Sequence, residues 1–288
     1  MSATPWDYIA KLVCIGDSGC GKSSLTIRLC EGRFVTHHDV TIGVEFGSRI
    51  VPVGPPHSDT IDRLPESDST TTSQDAASEG ASGPTTPTTK TPKPNGLPQP
   101  RTIAPPSAPP PPQKHMKLSL WDTAGQETYK SVTRSYFRGA SGALLVFDLT
   151  RKSTFQHVTD WLNDLRQIAE PDIVVVLVGN KADLASPDAD GGNKREVTRE
   201  EATEWAKRNG VLEYVETSAK SGENVENAFM RVADRIYQNI QAGKYDLNDR
   251  RSGVKGPSFG GYSSGGSRQV RLTGSDASRR SSVAGGCC

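Results

Sequence analysis

The eight residues Gly16-Asp-Ser-Gly-Cys-Gly-Lys-Ser23 constrain the fold of this chain more than any other feature. A Gly-x4-Gly-Lys-Ser run builds a backbone cradle for polyphosphate only when a buried strand leads into it and a helix leaves it. Both are present. Lys11-Leu-Val-Cys-Ile15 is a short apolar run suited to a central strand, and Ser24-Leu-Thr-Ile-Arg-Leu-Cys30 puts Leu25 and Leu29 at helical spacing. Gly16, Gly19 and Gly21 let the backbone curl with its N–H groups inward, where they and the helix N-terminus meet negative charge. Lys22 adds a point charge for the outer phosphates and Ser23 a hydroxyl for Mg2+. Ser18, Gly19, Cys20, Gly21, Lys22, Ser23 and Ser24 are therefore the expected phosphate-side contacts. By itself the motif leaves ATP and GTP open, and equally motor, kinase and switch.

Much of the chain is not core. Hydrophobic residues make up 34% of the 288, and the mean hydropathy is −0.54. A net charge of +1 leaves no global basic footprint of the kind that nucleic-acid binding needs. No apolar run approaches the roughly 20 residues of a membrane span, and the N-terminal residues lack a signal-peptide core, so a cytosolic chain is expected. Cys14, Cys20, Cys30, Cys287 and Cys288 are too few and too unevenly spaced for a disulfide scaffold or a zinc site. The first three are expected to pack as small hydrophobes or line the phosphate loop.

Of 20 prolines, all but Pro5, Pro171, Pro187 and Pro257 fall between Pro52 and Pro112, among Ser, Thr, Asp and Gly. Residues 54–113 therefore read as a disordered insertion. Its end, Pro105-Pro-Ser-Ala-Pro-Pro-Pro-Pro112, has the Pro-x-x-Pro spacing that SH3 and WW domains bind. The insertion separates Val44-Glu-Phe-Gly-Ser-Arg-Ile-Val-Pro-Val53 from Met116-Lys-Leu-Ser-Leu-Trp121, which look like two arms of one hairpin. Closing a loop of about 60 residues rather than about 4 costs roughly 2.4 kcal/mol, which an ordinary domain can absorb. A ten-residue arm puts that loop roughly 30 Å from the strand ends that carry chemistry.

Downstream, strands and helices alternate: Ala143–Asp148, a helix from Ser153 to about Ala169, Ile173–Gly179, a helix opened by the capping box Thr198-Arg-Glu-Glu201, a strand over Leu212–Val215, and a helix with Val225, Phe229, Val232, Ile236 and Ile240 on one stripe. The expected fold is α/β: a six-stranded, mostly parallel sheet with helices on both faces and one antiparallel edge strand. The globular domain spans 8–53 and 114–243, and 244–288 reads as a disordered tail.

Asn180-Lys-Ala-Asp183 follows a strongly apolar strand, at the sheet edge where open α/β folds bind ligands. Asp183 can accept both N1–H and the 2-amino group of guanine, whereas adenine offers a lone pair at N1 and no 2-amino group. Asn180 can serve the base's other polar edge, the Lys181 stem can cover the ring, and Ser218-Ala219-Lys220 offers a backbone N–H toward O6. In Trp121-Asp-Thr-Ala-Gly-Gln126, Asp122 suits Mg2+ through water, Gly125 a γ-phosphate, and Gln126 the attacking water. Thr41 can give its hydroxyl to Mg2+ and its N–H to the γ-phosphate. Two loops held by one phosphate form a switch.

At this point the chain resembles a Rab-family small GTPase of the Ras superfamily, with a P-loop NTPase G domain. The resemblance covers about 8–53 and 114–247 and includes Ile42-Gly-Val-Glu-Phe46, Lys117-Leu-Ser-Leu-Trp121, Tyr136-Phe-Arg-Gly-Ala140 and Leu145-Val-Phe-Asp-Leu-Thr150. The runs from Thr41 and Val132 are most similar to the subgroup of early-endosome recycling and ER–Golgi traffic. The resemblance implies Phe34 against guanine, and an effector surface of Ile42, Phe46, Trp121 and Tyr136. His37 and His38 are expected to be exposed, without a metal role. Cys287-Cys288 resembles a double-geranylgeranylation signal, and is not a C-a-a-X box. Eight Lys/Arg against three Asp between Lys244 and Arg280 would favour an anionic leaflet.

The implied partners are GTP and GDP, an escort protein with geranylgeranyl transferase, a GDP-dissociation inhibitor, an exchange factor, a GTPase-activating protein and effectors. The implied place is the cytoplasmic face of endosomal or Golgi membranes, with a cytosolic pool and the chain monomeric. The insertion and long tail depart from the family pattern; the insertion reads as a regulatory arm, inert filler or an unspliced segment. A P-loop ATPase or nucleotide kinase is the competing enzyme class. A scaffold that recruits SH3 or WW partners through the insertion is the competing non-enzymatic reading.

Overall fold

The computed structural model describes residues 5–36, 39–57, 112–187, 192–249 and 251–256. His37, His38, Cys287 and Cys288 lie outside the described residues, as do residues 58–111 and with them most of the Pro-x-x-Pro run.

The phosphate motif sits where the sequence requires, between strand β1 (Tyr8–Ile15) and helix α1 (Lys22–Glu31). There follow β2 (Val44–Val53), β3 (Lys114–Thr123), a 3-10 turn at Glu127–Tyr129, α2 (Lys130–Ser135), β4 (Gly142–Asp148), α3 (Lys152–Gln156) and α4 (Val158–Ile168). The chain continues through β5 (Val174–Asn180), the single turn α5 (Ala182–Ala185), α6 (Arg199–Arg208), β6 (Glu213–Thr217), α7 (Val225–Gln241) and β7 (Val254–Lys255). The main path of the sheet runs β2-β3-β1-β4-β5-β6, parallel along it except for the antiparallel edge strand β2.

Strand alternation sends Leu12, Leu118, Leu144 and Val176 to one face, where they meet Leu25 and Leu29 of α1 and Phe229, Val232 and Ile236 of α7. Val13, Leu145 and Val175 go to the other, against Phe155, Trp161, Leu165 and Ala202. Strands β4 and β5 are buried at every position, which is why they read as unbroken apolar runs.

The expected hairpin forms over its full length, from Val44 opposite Thr123 to Val53 opposite Lys114. At its mouth Gln113 joins the two arms. The Gln113 Nε2 donates to Val53 O at 2.9 Å, and its Oε1 accepts from the His57 N–H at 3.2 Å.

Three sequence expectations need correction. The helix expected over Ser153–Ala169 is two helices, because residue 157 turns the chain between α3 and α4. Only half of the capping box forms: Thr198 Oγ1 accepts the Glu201 N–H at 3.2 Å, while the Glu201 carboxylate goes to Lys152. The tail expected to be disordered from residue 244 instead adds a seventh strand. Residues 254 and 255 pair antiparallel with Ala10 and Ile9 of β1, and Val254 is fully buried. Tyr245 and Leu247 pack on the same core, so apolar side chains too sparse to read as an element still find a site. Gly253 makes this possible: a Cβ there would stand 1.8 Å from Gly139 O.

Candidate functional site

At the carboxyl ends of β1, β3 and β5 lies a cavity of about 560 Å3, within the range usual for small-ligand sites. Its wall joins the phosphate loop (Ser18, Gly19, Gly21, Lys22, Ser23, Ser24) to Phe34, Thr41, Gly125, Asn180, Lys181, Asp183, Ala219 and Lys220. Segments up to two hundred residues apart in sequence thus converge on one space. The wall also contains Thr123 of the Trp121–Gln126 motif, Asp39 and Val40 beside Thr41, and Val35, Thr36 and Leu184, to which no sequence motif assigns a role.

In the phosphate loop, Gly16 (φ 135°) and Gly21 (φ 90°) adopt backbone that L side chains avoid. Neither has room for one: a Cβ on Gly16 would meet Val146 O at 2.0 Å, and one on Gly21 would meet Asn180 Nδ2 at 2.3 Å. Lys22 is buried and donates to Gly16 O and Asp17 O, each at 2.9 Å, which aims its ammonium along the loop. Burial holds its pKa below the ordinary lysine value. Asp17 is itself anchored from α4 and its start, accepting from Trp161 Nε1 at 2.8 Å and lying 2.6 Å from His157 Nδ1. The Cys20 side chain is not a ligand, because it is buried in the core and only its backbone serves the loop. Cys14 likewise packs as a small hydrophobe, and burial pushes its thiol up to about 12.

On the base side two residues carry structural duties that the sequence did not show. Asn180 is committed to structure at both ends: Nδ2 donates to Cys20 O at 2.8 Å, and Oδ1 accepts from the Ala219 N–H at 3.2 Å and Thr217 Oγ1 at 3.3 Å. It ties the phosphate loop to the base loops while lining the cavity. Ser218 is fully buried and stands behind the wall, where its Oγ donates to Asp183 Oδ1 at 2.7 Å and orients that carboxylate. The Ala219 N–H, on the cavity wall, is engaged by Asn180 Oδ1. Lys181 takes a left-handed conformation (φ 69°), and its Nζ pairs with Asp148 at 2.7 Å, which lays the stem along the wall.

On the switch side, Ser23 Oγ and Thr41 Oγ1 are 2.9 Å apart, so the two hydroxyls assigned to Mg2+ converge. Asp122 is buried at the end of β3 beside Cys14. This set of hard oxygen donors fits Mg2+, which takes a few protein ligands together with phosphate oxygens. Among the described residues no cluster of three His, Cys, Asp or Glu side chains competes for a metal. Gly125 lies directly on the phosphate loop: its carbonyl accepts from the Ser18 N–H at 3.0 Å, and a Cβ on it would stand 2.5 Å from Lys22 Nζ. Gln126 sits in the bend after it, outside the cavity wall.

Next to the switch loops, Ile42 is 78% and Phe46 66% exposed. Phe46 is the cross-strand partner of Trp121, with ring centroids 4.5 Å apart, and Trp121 lies 5.5 Å from Tyr136. Lys11 Nζ stands 4.0 Å over the Trp121 ring and donates to Arg138 O. An exposed ring resting on two half-buried ones, rather than scattered singly, is the kind of patch that partner surfaces use.

Two supports carried no readable sequence signal. Arg28 on α1 donates through Nε to Ala219 O at 2.9 Å and so bolts down the Ser218–Lys220 loop. Arg195 forks onto Glu216 at 2.9 and 2.8 Å, fastening the segment after Asp183 to β6. The Ras family model matches residues 11–60 and 109–238, more than half of the chain, and the break in the match falls inside the Pro-rich insertion.

Proposed function

The chain belongs to the Ras family, and from that premise we propose that this small GTPase is of the Rab type. In this reading it alternates between a GTP-bound, membrane-associated active state and a GDP-bound inactive one, and regulates vesicle traffic on the endosomal-recycling or ER–Golgi route. The observation that carries the reading is the Phe46–Trp121–Tyr136 cluster, whose residues sit on or beside the two loops that a γ-phosphate would hold. Loss of that phosphate frees Thr41 and Gly125 and dissolves the surface effectors read.

Catalysis in such a site is mostly positioning and charge. The Lys22 ammonium and the loop N–H groups meet the phosphates, Asp183 reads guanine, and Gln126 orients the attacking water. Ser23, Thr41 and Asp122 would hold Mg2+, which when bound neutralises charge on the β- and γ-phosphates. Among the described residues no arginine lines the cavity, so intrinsic hydrolysis is slow and a GTPase-activating protein supplies the missing cation in trans. An exchange factor and a GDP-dissociation inhibitor complete the cycle. Two geranylgeranyl groups on Cys287 and Cys288 give stable yet extractable attachment to the cytoplasmic face of endosomal or Golgi membranes, where one chain would be marginal.

The test uses the full chain with escort protein, geranylgeranyl transferase and geranylgeranyl diphosphate. Two isoprenoids per molecule by mass are expected, and none when both terminal cysteines become Ser. An unmodified wild-type chain overturns the membrane part. In parallel, Gln126→Leu should keep GTP bound and retain partners that Phe46→Ala loses; equal capture by GTP and GDP forms sinks the switch.

A further inference from the structure

A trans peptide carries its carbonyl and the following N–H on opposite sides. Whatever holds a loop carbonyl outward therefore aims the next N–H into the cavity. Asn180 does this for Cys20 O and so for the Gly21 N–H. A second side chain does it one turn earlier. Arg151, between β4 and α3, donates through Nη2 to Ser18 O at 3.0 Å, and a Cβ on Gly19 would stand 3.3 Å from the same nitrogen. Arg151 is absent from the cavity wall, so it reaches the loop from outside.

This is not a wandering surface arginine. Its Nε donates to Asp148 Oδ2 at 3.1 Å, and that carboxylate is buried. Asp148 is also the partner of Lys181 Nζ, at 2.7 Å on the same oxygen, while Thr150 donates to Oδ1 through its N–H and its hydroxyl at 2.9 and 2.7 Å. Burial alone would raise the Asp148 pKa, but the bonds from Lys181 and Thr150 outweigh it and hold the group below its ordinary value. One ionised carboxylate thus holds both the lysine of the base loop and the arginine on the phosphate loop. A planar guanidinium can satisfy Asp148 and Ser18 O together in fixed geometry, which an ammonium cannot.

We propose that Arg151 is a positioning residue for phosphate binding: it sets the Ser18–Gly19 peptide so that the Gly19 N–H faces the polyphosphate, and links that peptide through Asp148 to the base-reading loop. The proposal rests on the cavity being the guanine nucleotide site. Arg151 is about half exposed, so its truncation leaves the core in place.

The experiment measures GDP release from the full-length chain with fluorescent GDP, at fixed Mg2+, and GMP affinity by competition. Arg151→Ala should release GDP about tenfold faster, the factor that corresponds to about 1.4 kcal/mol. Arg151→Lys should fall between Ala and wild type, because it keeps the charge but one bond at a time. GMP affinity should stay within about twofold in both, since GMP lacks the outer phosphates that the Gly19 N–H serves, whereas Asp148→Asn should weaken GMP by freeing Lys181 and GDP by more, because it releases Arg151 as well. GDP release from Arg151→Ala within twofold of wild type overturns the proposal, as does a GMP affinity that falls by the same factor as that of GDP. A wild-type chain that binds no GDP would instead overturn the nucleotide reading itself.

Discussion

At the carboxyl end of the sheet a set of buried polar groups is committed across segments, whereas the opposite end carries the long insertion and the tail on a few ties. Asn180, Ser218 and Asp148 each reach a partner from a different segment, Lys22 braces its own loop, and glycines at 16 and 21 have no room for a methyl. At the other end Gln113 closes the hairpin mouth, the Gly54 N–H rests 3.4 Å from Asp234, and Asp7 holds Lys114 and the His115 N–H. The lesson is that one domain can hold its chemistry under tight geometric control while its far edge accepts dozens of extra residues. Ten residues of β2 and β3 separate the two ends, so strain at one is not felt at the other.

The sharpest way to break that contrast is Asn180→Ala. It strips three buried bonds, each worth about 1–3 kcal/mol when a partner is left behind, so GDP affinity should fall on the order of 10²–10³-fold by calorimetry. A loss under tenfold would mean that the carboxyl end is less tightly coupled than its bonds suggest. Truncation after residue 249 comes next. It exposes the site of the fully buried Val254 and should cost about 2–3 kcal/mol in urea unfolding with GDP affinity unchanged. A shift in GDP affinity would break the separation of the ends. Replacing 58–111 by about six Gly/Ser residues should raise stability by about 2 kcal/mol through shorter loop closure, again without touching nucleotide affinity. Unchanged or lower stability would show that the insertion contributes contacts.

The smallest effect tests the tight end by pH. Burial would raise the Glu216 pKa, but Arg195 and the Tyr214 hydroxyl outweigh it and hold it below its ordinary value. A depressed carboxylate contributes stability above its unfolded pKa of about 4.3 and loses it as pH falls through the folded value. Wild-type stability should therefore drop below about pH 4, and Glu216→Gln should flatten that slope by about 1 kcal/mol. Identical slopes in the two proteins would remove Arg195–Glu216 from the account.

Much of this was legible before folding was considered. The phosphate loop, the guanine reader and the alternation of strands and helices are local patterns, and each depends on spacings of a few residues. The structural duties of Asn180 and Ser218 were not legible for a physical reason: each holds a partner from another segment, Cys20 and Asp183, that only the fold brings near. Gln113, Arg28 and Arg195 gave no signal, because a single polar side chain in a loop has no period. Strand β7 was missed because two residues are too few to alternate, and what defines them is the vacant stretch of β1 beyond the start of β4.

The sequence by itself determined which chemical groups this protein brings to a phosphate and a guanine, since short-range spacing decides what a loop at a strand end can bind. Only the tertiary structure decided which of them face the ligand and which hold the others still. Contacts such as Arg151 to Ser18 or Asn180 to Cys20 span more than a hundred residues, and no local rule sets the distance between segments that meet only after the sheet is built.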